Sequence, residues 1–415
     1  MNSNTQGVSR RSFMRILGAA SAAATSLPAL AVMQQAGTQT AAKSARPGAM
    51  RGMPLSPDTV VISSNENPLG PAQSALSAIG NTATQGGRYH FDEYVKTITV
   101  FNEQFSLKKD YSALFPGSSG PLDLALMSNI GPDKPLVFGD PSYEQGPRAA
   151  EVMKAPKYPV PLTATYAHDV KAMLKAHPSP GAYYIVNPNN PTGTMTPKAD
   201  IVWLVNNKPK GSVVIIDEAY HHFSNDESCI DLVAQDKDVI VMRTFSKIYG
   251  MAGLRAGFAI ARPDLIERFD NVGGPSRSLA SISITSAAAA RASLQDKDLV
   301  PLRKKINSDI RAETLEFLTK HGYKIVPGSQ GNMFMVDVKR PGREFQAAML
   351  KENVAIGRTW SAMPNYVRVT VGTKSEMEKF QTAFVKCMDM PPGAANGAAA
   401  LHMPEFHVPS ELYRG

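Results

Sequence analysis

Cysteine is scarce in this chain of 415 residues, which contains two, Cys229 and Cys387. Cysteines this far apart provide neither the short spacings of a zinc site nor the disulfide framework of a small secreted domain. We therefore predict no metal site. We interpret the two side chains as separate buried thiols, although pairing stays open for an exported protein.

Basic tracts are also missing, even though the formal net charge is +8. Three of the positive charges, Arg10, Arg11 and Arg15, lie in an N-terminal segment without acidic residues. The remaining excess is scattered and shows no lysine or arginine run alternating with aromatic residues. We therefore predict no nucleic-acid partner and assign part of the excess to pockets for anionic groups.

The first 31 residues have the pattern of a targeting signal. SRRSFMR at positions 9–15 is a twin-arginine motif, an alanine-rich apolar run follows to about residue 32, and Ala29-Leu30-Ala31 fits a cleavage site. The run is interrupted by polar residues and proline and is short for a membrane span. We predict a signal peptide over 1–31, export by the twin-arginine machinery and a bacterial periplasmic location. The alternatives are a disordered basic tail and an uncleaved anchor.

Composition divides the rest of the chain into four parts. Residues 32–57 are small and polar with scattered prolines, which predicts a linker. Residues 58–270 are assigned to a large domain, and residues 271–390 to bridging helices and a smaller α+β domain. Residues 391–415 are rich in proline and small residues and form a tail.

Short apolar runs alternate with helical stretches between residues 111 and 261. They are too short and too apolar for surface helices, so they predict an α/β fold with buried strands in a mostly parallel sheet. These strands are predicted at 111–115, 135–138, 182–186, 213–216, 239–242 and 257–261. Farther on, strands are predicted at 323–326, 332–338 and 366–371. Helices are predicted after residue 71 and at 92–105, 278–294, 299–321, 343–352 and 375–388.

Polar or glycine-rich segments follow most of these strands. They are PGSSG at 116–120, GDPSY at 139–143, NPNNPTG at 187–193, DEAY at 217–220 and TFSK at 244–247. Ligands bind at the carboxyl ends of parallel strands, and the first segment opens a helix whose free N–H groups suit a phosphate. Each segment alone has a simpler explanation as a cap or a turn. Five in register predict one shared binding site.

The stretch TFSKIYGMAGLRAGF at 244–258 indicates the chemistry of that site. A lysine amine forms an imine with a carbonyl cofactor when its pKa is lowered. Lys247 is accompanied by residue types that hold a phosphate, namely Thr244, Ser246 and Arg255. A lone Ser-Lys pair would more simply be a surface lysine, but a phosphate site beside such a lysine indicates pyridoxal phosphate (PLP).

With these segments assembled, the chain resembles the fold-type I PLP-dependent enzymes of aminotransferase class I/II, and histidinol-phosphate aminotransferases in particular. The resemblance covers roughly residues 58–388 and rests on NPNNPTG, IIDEAY, SKIYGMAGLRAG and VRVTVG in family order. It implies a large domain with a mostly parallel sheet, a smaller α+β C-terminal domain, and amino-group transfer between an amino acid and a 2-oxo acid.

The resemblance also implies roles for single residues around the cofactor. Lys247 would bind PLP covalently and carry the proton removed from the substrate's α-carbon. Asp217 would pair with the ring nitrogen and keep it protonated, so that the ring accepts electrons. Tyr220 and Asn190 would bond the 3-oxygen, and Tyr143 would stack on the ring. The residues that would hold the phosphate are Ser118, Ser119, Thr244, Ser246 and Arg255.

On the substrate side, Arg368 would clamp the α-carboxylate in a bidentate pair. Arg358 matches an arginine that in the relatives helps to bind the substrate's distal group, and a solvated strand-end arginine is an equal interpretation. Asn67 lies in the NENP loop that would close over the substrate, where some relatives carry tyrosine. Glu66 and His90, nearby in sequence, are interpreted as loop structure.

Tyr89 resembles a tyrosine that reaches the cofactor phosphate of a neighbouring subunit, which implies a homodimer with shared active sites. Because histidinol phosphate is a cytosolic intermediate, export favours an amino-acid substrate. The alternatives are a histidinol-phosphate:2-oxoglutarate aminotransferase, a PLP-dependent decarboxylase of a phosphorylated amino acid, and an exported PLP-binding protein without turnover.

Overall fold

The computed structural model describes residues 55–273 and 282–391. The predicted signal peptide lies outside the described residues, as do the linker and the tail apart from residues 55–57 and 391. The strands are β1 (Val60–Ile62), β2 (Ser112–Phe115), β3 (Leu136–Asp140), β4 (Lys157–Pro161), β5 (Ala182–Val186), β6 (Val213–Asp217), β7 (Val239–Thr244), β8 (Gly257–Ile260), β9 (Met333–Asp337), β10 (Val354–Ile356) and β11 (Tyr366–Thr370).

The helices lie between or after these strands. They are α1 (Gln73–Ala83), α2 (Phe91–Gln104), α3 (Ser119–Met127), α4 (Gln145–Val152), α5 (Val170–Ala176), α6 (Lys198–Asn207), α7 (Ile230–Ala234), α8 (Pro263–Glu267), α9 (Ile284–Gln295), α10 (Leu299–Lys320), α11 (Gly342–Lys351) and α12 (Lys374–Asp389). Short 3-10 turns lie at His221–Phe223, Ala252–Leu254 and Arg268–Val272. The helix predicted at 278–294 begins later, at Ile284, where the Ser283 hydroxyl accepts a bond from the Ser286 N–H; residues 278–281 lie outside the described residues.

One large sheet has the strand order β2-β8-β7-β6-β5-β3-β4. Neighbours pair in parallel from β7 to β4, and β8 runs antiparallel to both β7 and β2. Val214 and Ile216 face one buried layer and Val213 and Ile215 face the other, which explains the continuous apolar run. The mostly parallel α/β fold is confirmed, and the six predicted strands of this region are present within two residues of their predicted ends.

Strand β4, which has the sequence KYPVP, was absent from the sequence prediction. Two prolines and an exposed, charged first residue hide it, since proline cannot donate to a ladder. The two prolines are tolerated because β4 lies at the edge of the sheet and pairs with one strand, β3.

A second core contains β9, β10, β11 and the helix α12. β9 pairs with β11 in antiparallel fashion, and β1 pairs with β10 in parallel, with Val60 opposite Val354. The sequence prediction had placed residue 60 with the large domain, but β1 belongs to this C-terminal core. Conversely, α9 packs in the large-sheet core through Ala287 and Ala289. The domain boundaries otherwise stay a prediction.

The strand predicted at 323–326 is wrong. This segment runs beside β9, and the Val326 N–H donates to the Met335 carbonyl at 2.9 Å, but it forms a single isolated bridge, Ile325 to Val336. Pro327 and Gly328, the latter with φ of +76°, turn the chain away before a ladder develops. The apolar residues at 323–326 did not by themselves indicate that the chain turns away here.

Cys229 and Cys387 are both buried free thiols in separate cores, as the sequence predicted. Of the helices in the described ranges, none combines the length and apolar character needed to span a membrane. Within the same ranges, no cluster of three or more His, Cys, Asp or Glu side chains is placed to bind a metal ion.

Candidate active site

The carboxyl ends of β2, β3, β5, β6 and β7 meet at one edge of the large sheet. This follows from the strand directions, because β2 is antiparallel to β8 and β8 is antiparallel to β7, so β2 points the same way as the parallel strands. β8 begins at that edge, which places Arg255, two residues before Gly257, beside the segments that end there. The topology therefore gathers the five predicted segments in one place.

Lys247 lies three residues beyond the end of β7. Its Nζ donates to the carbonyl of Ser64 at 3.2 Å and lies 5.5 Å from the centre of the Tyr220 ring. The loop after it is held closely: a Cβ on Gly250, whose φ is +65°, would lie 2.0 Å from the carbonyl oxygen of Gly70. Asn67 Nδ2 also donates to the Ile248 carbonyl at 3.0 Å. The 63–71 loop thus fixes the lysine segment from outside the large sheet.

Asp217 is the last residue of β6 and is 4% exposed. Burial raises its pKa to about 6, although the Ala219 N–H, 3.0 Å from Oδ1, and the nearby Lys247 cation act in the opposite direction. The Tyr184 hydroxyl donates to Oδ2 at 3.4 Å. A carboxylate this costly to bury is expected where it acquires a cationic partner, as it would beside a protonated ring nitrogen.

Hydroxyls and one guanidinium form a cradle beside the lysine. Thr244 Oγ1 donates to Ser246 Oγ at 3.0 Å, and Arg255 Nη1 donates to the same oxygen at 3.2 Å. A Cβ on Gly117, whose φ is +83°, would lie 2.1 Å from Arg255 Nη2, so only glycine lets the backbone approach this guanidinium. Ser118 and Ser119 open α3 directly after it.

This cradle fits a phosphate. It combines a guanidinium, two hydroxyls and the free N–H groups of a helix of nine residues, α3. The phosphate is the end of PLP that needs such donors, and Asp217 and Lys247 provide the partners for its ring nitrogen and its aldehyde. The residues present therefore fit the cofactor that the sequence predicted.

Tyr220 and Asn190 connect the site to the N-terminal loop and to the C-terminal core. Asn65 Nδ2 donates to the Tyr220 hydroxyl at 3.1 Å, and Asn190 Oδ1 accepts from Arg368 Nη1 at 2.8 Å. Tyr143 lies near them, and burial, followed by the charges of Tyr220 and Asp217, raises its pKa to about 12. Its hydroxyl therefore stays neutral.

Arg368 is 6% exposed and lies in β11. It donates to two uncharged oxygens, Asn190 Oδ1 and the Ser63 carbonyl, the latter at 2.6 Å, and its buried Nε has no partner. Desolvation lowers its pKa to about 10, which still leaves it a cation near neutrality. A buried cation with an unused donor suits an incoming carboxylate.

Arg358 lies beside Arg368 in what we call the substrate wall, which comprises Ser63–Asn65, Arg358, Trp360 and Arg368. Its Cζ lies 5.0 Å from the Trp360 ring centre, and the Cζ of Arg368 lies 5.4 Å from it. Arg358 Nη2 also donates to the carboxylate of Glu144. The structure therefore brings Arg358 to the site and gives it a partner there, which the solvated-arginine interpretation did not include.

Two of the predicted residues are not gathered with the others. Tyr89 is 69% exposed and stacks on Phe91 with ring centres 5.6 Å apart. Asn67 donates to the Ile248 carbonyl and accepts from the Leu69 N–H, so in this conformation its amide organises the loop. His90 precedes α2 with φ of +46°, and the Glu66 carbonyl accepts from Asn332, which agrees with loop-structural roles for both.

Sequence reasoning missed Asn65, Glu144 and Trp360. Asn65 is buried with φ of +53°, and its amide links Tyr220 to Thr370. Trp360 is buried and its Nε1 donates to the Ser142 carbonyl at 3.0 Å. Asn65 was detectable in principle, since asparagine tolerates a positive φ and the residue shares the NENP loop. The other two carry no local signal.

A cavity of about 180 Å³ lies beside the site and not within it. Asn67, Arg303 and Asn332 contribute to its lining, whereas Lys247 and Asp217 do not. Arg303 Nη1 donates to the Ile248 carbonyl, so the cavity lies behind the lysine segment. The polar side chains that converge around Lys247 and Asp217 mark the site of the chemistry, and these two residues do not line the cavity.

Comparison with known proteins identifies the family. The model of the family described as aminotransferase class I and II matches residues 57–384. Histidinol-phosphate aminotransferase 1 of Nitrosococcus oceani is 31% identical over 326 residues, which cover 77% of this chain and 86% of that protein. An aromatic amino acid aminotransferase of Cutibacterium acnes is 31% identical over 343 residues, covering 80% and 95%.

The fold comparison agrees. The crystal structure of histidinol-phosphate aminotransferase from Sinorhizobium meliloti in complex with pyridoxal-5'-phosphate superposes with a TM-score of 0.71 at 21% identity. It covers 84% of this chain and 98% of that one. The predicted fold class, the α/β fold of type I PLP enzymes, is confirmed.

Proposed function

Because the chain belongs to the aminotransferase class I and II family, whose members depend on PLP, we propose that it transfers an amino group between an L-amino acid and a 2-oxo acid. The observation that carries this is the arrangement of Lys247, Asp217 and Arg368 around one site at the sheet edge. A nucleophilic amine, a partner for a ring nitrogen and a carboxylate clamp are the groups that this chemistry requires.

PLP, when bound, withdraws electrons from the bonds of the substrate's α-carbon. Lys247 would hold it covalently, and its amine, once free, would move the proton from the substrate's α-carbon to the cofactor. Asp217 would hold a proton on the ring nitrogen, and Tyr220 and Asn190 would bond the 3-oxygen. Tyr143 would stack on the ring.

The phosphate would be held by the cradle, and the substrate by the substrate wall. Thr244, Ser246 and Arg255 would donate to the phosphate together with Ser118 and Ser119 at the start of α3. Arg368 would pair with the α-carboxylate, and Arg358 would face the substrate's distal group. Asn67 would contact the substrate after the NENP loop closes.

The identity of the substrate is the open part of this proposal. Sequence identity does not distinguish between histidinol phosphate and an amino acid as the substrate, because a histidinol-phosphate aminotransferase and an aromatic amino acid aminotransferase both match at 31%. We favour an amino acid, because Arg368 is a buried cation that donates to two uncharged oxygens, Asn190 Oδ1 and the Ser63 carbonyl, and because histidinol phosphate carries no carboxylate to neutralise it.

We propose further that residues 1–31 direct export through the twin-arginine machinery to a bacterial periplasm. The motif at 9–15 supports this, and it also argues against a cytosolic substrate. Fractionation of a reporter fused after residue 31 tests it: the wild-type leader should export the reporter, and Arg10→Lys with Arg11→Lys should retain it. Export by the double variant at the wild-type rate would refute the motif.

A homodimer with shared sites is the third part of the proposal. The exposed apolar side chains Leu76, Tyr89, Phe91 and Val95 on and beside α1 and α2 support a subunit contact there. Mixed dimers test it. Unfolding and refolding Lys247→Ala subunits with Tyr89→Ala subunits should restore activity, because one of the two sites in each hybrid is then intact.

The experiment that tests the function uses purified protein loaded with PLP, a panel of amino acids, histidinol phosphate, and two acceptors, 2-oxoglutarate and the uncharged-side-chain acid pyruvate. Amino transfer predicts a 2-oxo acid formed from the donor in equal amount to the amino acid formed from the acceptor. Release of carbon dioxide without a 2-oxo acid would indicate the decarboxylase alternative, and turnover with histidinol phosphate alone would indicate that substrate. The absence of any product would favour a binding protein.

A further inference from the structure

We infer that Glu144 is a specificity-determining residue. Its carboxylate pairs with Arg358 and so takes the place of an anionic group at the distal end of a substrate. It biases the site toward amino acids whose side chains end without negative charge. The inference rests on the proposed function, in which Arg368 takes the substrate's α-carboxylate and Arg358 faces its distal group. It concerns Arg358, the second arginine of the substrate wall.

The wall offers two places for an anion, separated by one indole ring. Trp360 is held by the bond from its Nε1 to the Ser142 carbonyl at 3.0 Å. The guanidinium carbons of Arg358 and Arg368 lie 5.0 Å and 5.4 Å from its centre. Cations at these distances from an indole are attracted to its face, so the ring fixes the spacing of the two arginines. When a substrate's α-carboxylate binds Arg368, its distal group therefore extends either toward Arg358 or away from it.

The two arginines differ in their counter-ions. Arg368 donates to the Asn190 amide oxygen and the Ser63 carbonyl, which are neutral. Arg358 forms a salt bridge with Glu144 in which the two side chains are 22% and 29% exposed. The protein thus leaves the α-carboxylate position for a ligand and provides its own carboxylate at the distal position.

The position of Glu144 points to this use. It precedes α4 as the N-terminal cap residue, yet its side chain makes no capping bond and instead reaches Arg358, 214 positions away. It also follows Tyr143 directly. The charges of Glu144 and of Arg358 both contribute to the pKa of Arg368, which places the pair within electrostatic reach of the α-carboxylate position.

The preference follows from what each substrate leaves behind. An acidic or phosphorylated side chain that binds Arg358 must displace Glu144, whose carboxylate then lies partly buried without its cation beside a second anion. An uncharged side chain leaves the pair intact. Discrimination by such a repulsive group needs no new attractive contact to the preferred substrate.

The test compares Glu144→Gln with Glu151→Gln in the PLP-loaded mature protein. Glu151 is a matched control, because it lies on the same helix, pairs with the exposed Lys157 and changes the net charge equally. We expect Glu144→Gln to raise the ratio of kcat/KM for glutamate to that for methionine by about tenfold or more. We expect it to tighten binding of the inert dicarboxylate maleate, measured by calorimetry, to a similar extent. Glu151→Gln should leave both quantities at the wild-type value.

Two further variants complete the design. Adding Arg358→Gln to Glu144→Gln should abolish the gain, because the freed cation is what binds the second anion. Glu144→Ser removes the same charge while supplying a favourable cap residue, so it replaces Glu144→Gln if that protein unfolds early. An unchanged or lower ratio with unchanged maleate affinity in a folded Glu144 variant would overturn the inference.

The outcomes separate this inference from the proposed function. If no amino acid is transaminated but maleate affinity still rises in Glu144→Gln, the role of Glu144 is supported and the proposed function fails. If transamination proceeds and neither the ratio nor the affinity moves, the inference fails and the proposed function remains.

Discussion

The cofactor wall and the substrate wall of the site are built in different ways. The cofactor wall, which comprises Gly117–Ser119, Asn190, Asp217 and Thr244–Arg255, is made by segments at the ends of strands of one sheet. The substrate wall, which comprises Ser63–Asn65, Arg358, Trp360 and Arg368, joins the N-terminal loop to the C-terminal core. Its hydrogen bonds link residues as far as 305 positions apart.

This difference indicates where the enzyme can change. The cofactor wall is tied to buried strands, so its side chains are placed by the fold and serve chemistry that does not vary with substrate. The substrate wall depends on contacts between separate segments, and single changes such as Glu144 alter its charge without altering the sheet. We therefore expect reaction type to be determined at the first wall and specificity at the second.

Removing Lys247 should give the largest effect on the cofactor wall. Lys247→Ala deletes both the covalent attachment and the proton carrier, so turnover should fall about 10⁴-fold in an amino-transfer assay. Lys305→Ala is the control, because Lys305 is an exposed residue of α10. Substantial residual transfer by Lys247→Ala would contradict the role assigned to this lysine.

Asp217→Asn, in the same wall, should slow amino transfer and yet stabilise the cofactor-free protein. Burial raises the pKa of Asp217 to about 6, so its charged form is less favourable in the folded state than in the unfolded state. That penalty is absent below the unfolded pKa of 3.8, grows as the pH rises and is complete above about 6.

In cofactor-free protein, the variant should therefore be more stable at pH 7.5 by about 3 kcal/mol, and most of this gain should be lost by pH 4. Urea unfolding at the two pH values measures it, with the exposed Asp309→Asn as control. The same variant should transfer amino groups more slowly than wild type. A destabilised Asp217→Asn at pH 7.5 would show that the buried charge is compensated in the free protein.

Arg368→Gln should break the substrate wall. Loss of a charge-assisted pair of about 1.5–3 kcal/mol predicts a rise in KM of roughly 10- to 100-fold for amino acids. Amines that lack the α-carboxylate should bind the variant and the wild type with similar affinity, as measured by competition. If both ligand classes weaken equally, the substitution has disturbed the site and Arg368 is not the clamp.

Gly117→Ala should give the smallest effect, because it perturbs the cradle indirectly. Its Cβ would displace the Arg255 guanidinium, which lies 2.1 Å from the position that this atom would occupy, so PLP should bind about tenfold more weakly. Gly211→Ala is the matched control, since its φ is +90° and nothing lies within 4 Å of the added atom. Equal PLP affinities for the two variants would contradict the role assigned to the close approach of Gly117 and Arg255.

The cofactor wall could be predicted from the sequence because its residues lie next to strands that are recognisable by themselves. The runs 182–186 and 213–216 are apolar enough to be identified as buried strands, and the rule for parallel sheets then places Asn190 and Asp217 at one edge. The same rule places Lys247, which comes shortly after β7, at that edge.

The substrate wall could be predicted only in part. Arg358 and Arg368 were found through motifs, but Glu144 and Trp360 act through partners that no local pattern specifies. Asn65 reaches Tyr220 across 155 positions, and β1 pairs with β10 across most of the chain. Contacts of this separation depend on the packing of two cores, which periodicity and propensity do not encode.

The most direct test of the central claim is to find which lysine holds the cofactor. PLP-loaded protein would be reduced with borohydride, digested and analysed by mass spectrometry. The account predicts that the reduced cofactor is attached to the peptide containing Lys247 in nearly all molecules. Attachment to another lysine, or to none in protein that has bound PLP, would contradict it.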